Sequence, residues 1–178
     1  MTNICVFSSS SDVDSVYSEA ATQTGREIGS RGHNLVYGGS NLGLMGKVAR
    51  AVQATGGEVY GFIPEIFKHS AEGEDKLTVA RDLRERKALM EQNSDAYITL
   101  AGGFGTLDEM IEVIAIKQMR IHNKPLVLLN TEGFYNPLRS FFEGFIEKGF
   151  AKPENRQLYH IVGTPREAVD FIENYFKP

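Results

Sequence analysis

The chain has 178 residues, of which 42% are hydrophobic and 24% charged, with a formal net charge of −4. That length suits one domain, 1–178, with a proper core. The acidic balance excludes a global positive field for nucleic acid or an acidic membrane surface, so an anionic ligand would need backbone N–H groups and a few placed cations. The one cysteine, Cys5, has no partner for a disulfide or a thiolate metal site. The four histidines (His33, His69, His122 and His160) are scattered without metal-ligand spacing. The opening Met1-Thr2-Asn3-Ile4-Cys5 lacks the basic start and long apolar stretch of a signal peptide, and no segment approaches a membrane span. The expected location is the cytoplasm, where a lone buried thiol stays reduced.

Short apolar runs alternate with longer amphipathic ones. Ile4-Cys5-Val6-Phe7 reads as a buried strand, 15–31 as a helix stopped by Gly32, and Leu35-Val36-Tyr37 as a strand ending in Gly38-Gly39. Residues 44–54 read as a helix closed by Gly56-Gly57, and 58–63 as a strand closed by Pro64. The polar stretch 65–76 reads as a mobile loop, and Leu77-Thr78-Val79 as a short strand. A helix over 83–93 leads to a strand over 96–100, then a glycine turn and a helix over 106–119. Leu126-Val127-Leu128-Leu129 is a strand, 136–148 a helix, 158–162 the last strand and 165–175 the last helix, with Pro165 in its first turn. Strands and helices in alternation, with near-continuous apolar strands, predict an α/β fold: a doubly wound parallel sheet covered by helices on both faces. Ligands in such sheets sit outside the strands' carboxyl ends.

Three strand-to-helix turns are therefore candidates. The first, Ser8-Ser9-Ser10-Ser11-Asp12, has no glycine, which argues against the G-x-G-x-x-G of NAD or FAD binding. Its hydroxyls suit a phosphate or ribose, or else its Ser and Asp cap the next helix. The second runs from Gly38-Gly39 to Gly46-Lys47. It fails as a phosphate loop: Asn41 stands where the leading glycine belongs, and Val48 where Ser or Thr would hold magnesium. Its glycines serve either close ligand approach or tight helix packing. The third is Ala101-Gly102-Gly103-Phe104-Gly105-Thr106-Leu107-Asp108-Glu109. A buried strand delivers the chain to three glycines and a helix start, whose free N–H groups and dipole form an anion site.

Glu109 has two readings. Thr106-x-x-Glu109 is a capping box, with Glu109 reaching back to the Thr106 N–H. Alternatively Leu107, Met110, Ile111 and Ile114 form the core stripe, which leaves Glu109 off the core and beside any bound anion. Upstream, Leu83, Arg86 and Met90 share a stripe at i, i+3, i+7. An arginine there snorkels, pairs with a core carboxylate, or meets an anionic ligand.

Together these residues resemble the Lonely Guy (LOG) family of cytokinin-activating phosphoribohydrolases, whose members carry P-G-G-x-G-T-x-x-E and an upstream R-K pair. The matching segments are 101–109 and Glu85-Arg86-Lys87-Ala88-Leu89-Met90. Val36-Tyr37-Gly38-Gly39, Gly43-Leu44-Met45-Gly46, Ile63-Pro64-Glu65, Lys124-Pro125 and Gly133-Phe134-Tyr135-Asn136 match in order, so the resemblance spans nearly the whole chain. It implies a Rossmann-like fold, usually a homodimer with active sites near the interface. It also implies hydrolysis of the N-glycosidic bond of a nucleoside 5′-monophosphate, giving ribose 5-phosphate and adenine or an N6-substituted adenine. By that resemblance Arg86 and Glu109 are catalytic. Lys87, Gly102, Gly103, Phe104, Gly105, Thr106, Asp108, Gly38, Gly39, Ser9 and Glu65 bind substrate. No metal or cofactor is implied. An older description of such proteins, lysine decarboxylase, has no support in the residues, since nothing marks a pyridoxal-phosphate lysine.

Three departures stand out. Ala101 replaces the family proline, and Ile114-Ala115-Ile116-Lys117-Gln118 lacks the Thr-Trp pair of the plant members, which bears on the preference for prenylated adenine. Ser8-Ser9-Ser10 stands where C-G-S-S is frequent. The alternatives are a non-catalytic carrier of a nucleotide-like cofactor such as molybdopterin, which needs the turn but not the glutamate, and a broader nucleotide nucleosidase of salvage.

Overall fold

A computed structural model describes residues 1–71 and 75–177. Seven strands, all paired in parallel, form one sheet in the order β4-β3-β2-β1-β5-β6-β7. They are β1 (Asn3–Phe7), β2 (Asn34–Tyr37), β3 (Val59–Pro64), β4 (Lys76–Ala80), β5 (Ala96–Thr99), β6 (Leu126–Leu129) and β7 (His160–Val162). The helices are α1 (Ser15–Ser30), α2 (Gly43–Ala54), α3 (Leu83–Gln92), α4 (Phe104–Gln118), α5 (Asn136–Glu147) and α6 (Pro165–Tyr175).

The central strands β2, β5 and β6 are buried at every position because both sheet faces are covered. On one face Ile4, Val6, Leu35 and Ile98 pack with Ile28 of α1, Val48 and Val52 of α2, and Ile172 of α6. On the other, Cys5, Phe7, Val36 and Tyr97 pack with Met90 of α3, Met110 and Val113 of α4, and Tyr135. Burial pushes the Cys5 thiol far up, so it stays a neutral core group. Among the described residues no helix is long and apolar enough to cross a membrane.

Four local expectations are corrected. The predicted loop 65–76 begins as a 3-10 turn, Glu65–Ser70, and ends in β4, which lengthens the predicted 77–79 strand and pairs with β3; residues 72–74 lie outside the described residues. A 3-10 turn carries no 3.6-residue apolar stripe, so polar composition concealed it. The predicted strand 158–162 shortens to β7, because Leu158 closes a 3-10 turn, Pro153–Leu158. The first turn does not cap α1: Asp14 is its N-cap without a side-chain bond, and the Ser9 hydroxyl accepts from Ser11 N instead, at 3.0 Å. Finally, α4 begins at Phe104, two residues before the expected Thr106.

Candidate functional site

In a parallel sheet all carboxyl ends meet at one edge, and here the strand order reverses between β1 and β5. That reversal is the switch point where such sheets bind ligands. The serine turn after β1 and the glycine turn after β5 flank it, and the turn after β2 lies one strand away.

The glycine turn opens directly into α4. Gly103 is the N-cap and no side chain caps it; the first helical bond runs from Leu107 N to Gly103 O, 3.0 Å. The amides of Phe104, Gly105 and Thr106 therefore lack a helical acceptor, and the dipole of a 15-residue helix adds to them. The three glycines differ in what they face. A Cβ on Gly102 would lie 2.2 Å from Thr106 Oγ1, whereas one on Gly103 or Gly105 meets nothing within 4 Å. Gly102 is required by the protein's own packing; Gly103 and Gly105 border open space in front of the free amides.

The early start of α4 changes the reading of Glu109. Thr106 is the third helical residue and not the N-cap, so Glu109 sits in the second turn and cannot complete a capping box there. Nor does it lie off the core. Thr106, Glu109, Met110 and Val113 are the buried positions of α4, at i, i+3, i+4 and i+7, while Leu107 and Ile111 are more than a third exposed. The inward face is one residue away from the apolar stripe. It holds a charged residue because a partner waits inside.

That partner is Arg86. Asp82 caps α3 by accepting from Arg84 N and Glu85 N, both at 2.9 Å, which fixes where Arg86 projects. Arg86 Nη2 donates to Glu109 Oε1, with side-chain exposures of 13% and 8%. An ion pair this buried is held by mutual neutralisation more than by solvent. Arg86 Nη1 lies against the turn after β2, where a Cβ on Gly38 would stand 3.0 Å away. Among the described residues Arg86 Nε has no hydrogen-bond partner. Burial pushes the Glu109 carboxyl up, to about 7, with Arg86 the strongest opposing pull. A carboxyl that half-ionises near neutrality suits a general base.

The remaining expected site residues divide. Gly38 and Gly39 (φ +75°) lie at the end of β2, and Gly38 backs Arg86. Phe104 is 93% exposed at the first position of α4. Glu65 is exposed at the carboxyl end of β3. Ser9 serves the fold: its carbonyl accepts from Leu44 N and Met45 N at the start of α2. Lys87 Nζ pairs with Asp108 (2.9 Å) and Glu112 and so straps α3 to α4. Asp108 is thereby Lys87's partner, on the outer side of α4.

Two further residues stand beside the site, Ser8 of the serine turn already singled out and Tyr135, to which sequence reasoning gave no role. Ser8, at the end of β1, is 6% exposed with its hydroxyl unpartnered among the described residues. Tyr135 reaches back to the glycine turn, donating its buried hydroxyl to Leu100 O at 2.6 Å. The only signal for Tyr135 was its place in the matched segment 133–136. Among the described residues no group of three or more His, Cys, Asp or Glu side chains could hold a metal ion.

A helix start with uncapped amides beside a buried arginine–carboxylate pair, at the switch point of a parallel α/β sheet, defines the candidate site of a Rossmann-like protein. Comparison with known proteins narrows the class. The family described as "Possible lysine decarboxylase" matches residues 45–172. A rice protein (Oryza sativa subsp. japonica), "Probable cytokinin riboside 5′-monophosphate phosphoribohydrolase LOGL2", is 43% identical over 97% of this chain and 72% of its own. An Arabidopsis thaliana protein, "Cytokinin riboside 5′-monophosphate phosphoribohydrolase LOG5", is 43% identical over 97% of this chain and 77% of its own. The chain belongs to this LOG family of phosphoribohydrolases. Among solved structures, a molybdenum cofactor binding protein from Rippkaea orientalis superposes with a TM-score of 0.77 at 20% identity, covering 99% of this chain and 98% of that one. The molybdenum cofactor carrier protein of Chlamydomonas reinhardtii gives 0.73 at 21%, covering 97% and 96%. At those identities the likeness is one of fold.

Proposed function

We propose that the protein hydrolyses the N-glycosidic bond of a purine nucleoside 5′-monophosphate, with adenine or an N6-substituted adenine as base. The observation that carries this reading is the buried Arg86–Glu109 pair beside the open glycine turn. The named activity of the 43%-identical relatives supports it. Arg86 and Glu109 are its catalytic residues, and the amides of 102–106 its phosphate donors.

Cleavage develops positive charge on the ribose, and a carboxylate beside C1′ stabilises that charge and activates water. The oxygen of water bonds to C1′ as the C1′–N bond breaks. Glu109 accepts the proton of water; the base leaves with the bonding electrons and takes a proton from solvent. The phosphate, held on the turn, sets the ribose in register. Arg86 balances the two anions, since it already neutralises Glu109 and keeps one donor, Nε, uncommitted. A pure carrier would need the turn but not the buried carboxyl.

A homodimer is part of this reading. Phe104, Leu107 and Ile111 of α4 and Phe141 and Phe145 of α5 are exposed, and an apolar pocket of about 180 Å³ opens between these helices. A run of exposed large apolar side chains on adjacent helices supports a protein contact there. Phe104 belongs to both this face and the glycine turn, and in this reading the site lies at the rim of the interface.

The test is incubation with AMP, GMP, CMP and isopentenyl-AMP, with free base read by chromatography. Glu109→Gln should abolish base release, a loss of at least about 100-fold for a removed general base, while AMP still binds. Wild-type turnover in the Gln variant would reduce Glu109 to an ion-pair partner and sink the mechanism.

A further inference from the structure

The glycine turn is entered through Ala101, a residue whose φ is not restrained as a proline's would be. The donors it presents must nonetheless hold one geometry to orient a substrate. Just before it, Leu100 has both backbone groups committed. Its N–H donates to Phe7 O of β1 at 2.9 Å, and its carbonyl accepts from the Tyr135 hydroxyl at 2.6 Å. The first bond continues the sheet. The second comes from outside it, across the fold, from a loop 35 residues further along the chain.

That loop is tied down next to Tyr135 by side-chain hydrogen bonds of its own. After β6, Asn130 Oδ1 accepts from Tyr135 N at 2.7 Å, and Asn130 Nδ2 donates to Asn136 Oδ1 at 2.9 Å. Between them Glu132 (φ +53°) and Gly133 (φ +71°) take left-handed backbone, uncommon for the glutamate. A Cβ on Gly133 would meet Asn136 Nδ2 at 2.7 Å, so the loop closes tightly. Tyr135 emerges 5% exposed, packed edge-on against Phe134 with ring centroids 5.0 Å apart. A backbone strained at a non-glycine residue persists where the surrounding structure over-determines it. Here the same loop carries Tyr135, whose backbone N–H is tied to Asn130, and seats Phe134 edge-on to Tyr17 of α1.

We infer that Tyr135 is a positioning residue for the reaction, a clamp that holds the Leu100 carbonyl and so fixes the glycine turn whose entrance Ala101 leaves free. It touches no substrate; it acts through the turn. The clamp rests on the turn being the phosphate site, as proposed above. Misplacing such donors by about 1 Å costs about 100-fold in rate.

The test is Tyr135→Phe, which keeps the ring and removes the hydroxyl, assayed well below its melting temperature. Expected are a weaker AMP affinity by calorimetry and a kcat/KM lowered by about 10- to 100-fold. The pH at which activity rises should be unchanged, because Arg86 and Glu109 are untouched. Faster hydrogen exchange of the Leu100 and Leu107 amides, which bracket the turn, is expected without ligand. A Tyr135→Phe protein that melts earlier but keeps wild-type affinity, kcat/KM and exchange overturns the clamp and makes Tyr135 a packing residue. Wild-type protein that releases no base from any nucleotide sinks the hydrolase reading alone; the exchange and affinity measurements still decide the clamp. If Tyr135→Phe does not fold, Asn130→Ala, which frees the Tyr135 amide and leaves the phenol, is read by the same two measurements, and wild-type values in it overturn the proposal.

Discussion

Substituting Gly105 separates what the turn does for the fold from what it does for a ligand. Gly105 is the second residue of α4, and a Cβ placed on it meets no protein atom within 4 Å. Alanine is favoured over glycine in a helix by about 0.5–1 kcal/mol, and near the helix end the lower figure applies. In a protein of this size 1 kcal/mol moves Tm by about 2–4 °C, so Gly105→Ala should gain about 1–2 °C. The same methyl fills the space before the free amides of α4. A phosphate oxygen approaches an amide nitrogen to about 3 Å, and the methyl competes for that volume. Losing one hydrogen bond to a charged group removes about 1.5–3 kcal/mol, which weakens AMP binding by about 10- to 100-fold. Thermal unfolding followed by circular dichroism reads the first effect and titration calorimetry with AMP the second. Gly102→Ala is the control, because its Cβ would collide with Thr106 and so lower stability and binding together. A Gly105→Ala protein that gains stability and binds AMP as tightly as wild type refutes the assignment of the phosphate to this turn.

Three further outcomes follow from the site and its rim. Activity requires ionised Glu109, so kcat/KM for AMP should rise with pH and level off above about 7, and in Arg86→Ala, where the opposing pull is gone, the rise should move to higher pH. Stability should run the other way: folding raises this carboxyl from 4.5 to about 7, so its contribution is full below about 4.5 and is lost as pH climbs through about 7. A pH–rate profile flat between about pH 5 and 9 removes Glu109 from the base role. Sedimentation velocity should show twice the 19.8 kDa chain mass, with Phe141→Glu shifting it toward the monomer; a monomeric wild type refutes the α4–α5 interface.

The alternation of buried strands and amphipathic helices was legible in the sequence because it is local. Residues such as Leu126-Val127-Leu128-Leu129 can only lie inside a covered sheet. The glycine turn was legible for the same reason: strand, glycines and helix are contiguous, and anion binding there needs nothing more distant than backbone amides. Motif resemblance pointed to Arg86 and Glu109, yet neither side chain's setting could be read from its neighbours. The stripe of Leu107 and Ile111 looked like the core face of α4, but tertiary packing turned Glu109 inward and left those two residues toward solvent. Helical periodicity shows that a stripe exists, not which of two apolar stripes the sheet covers. Lys87 beside Arg86 looked like a second phosphate cation, and only the approach of α4 assigned it to Asp108 and Glu112. The Tyr135–Leu100 bond was beyond any local pattern, since it joins a loop after β6 to the end of β5. Alone, the sequence determined the fold class and the glycine turn between β5 and α4, and its motif resemblance named the pair of residues to watch. The structure decided that the pair is buried and mutually neutralised, because long-range contacts set the burial and charge that govern a carboxyl's proton.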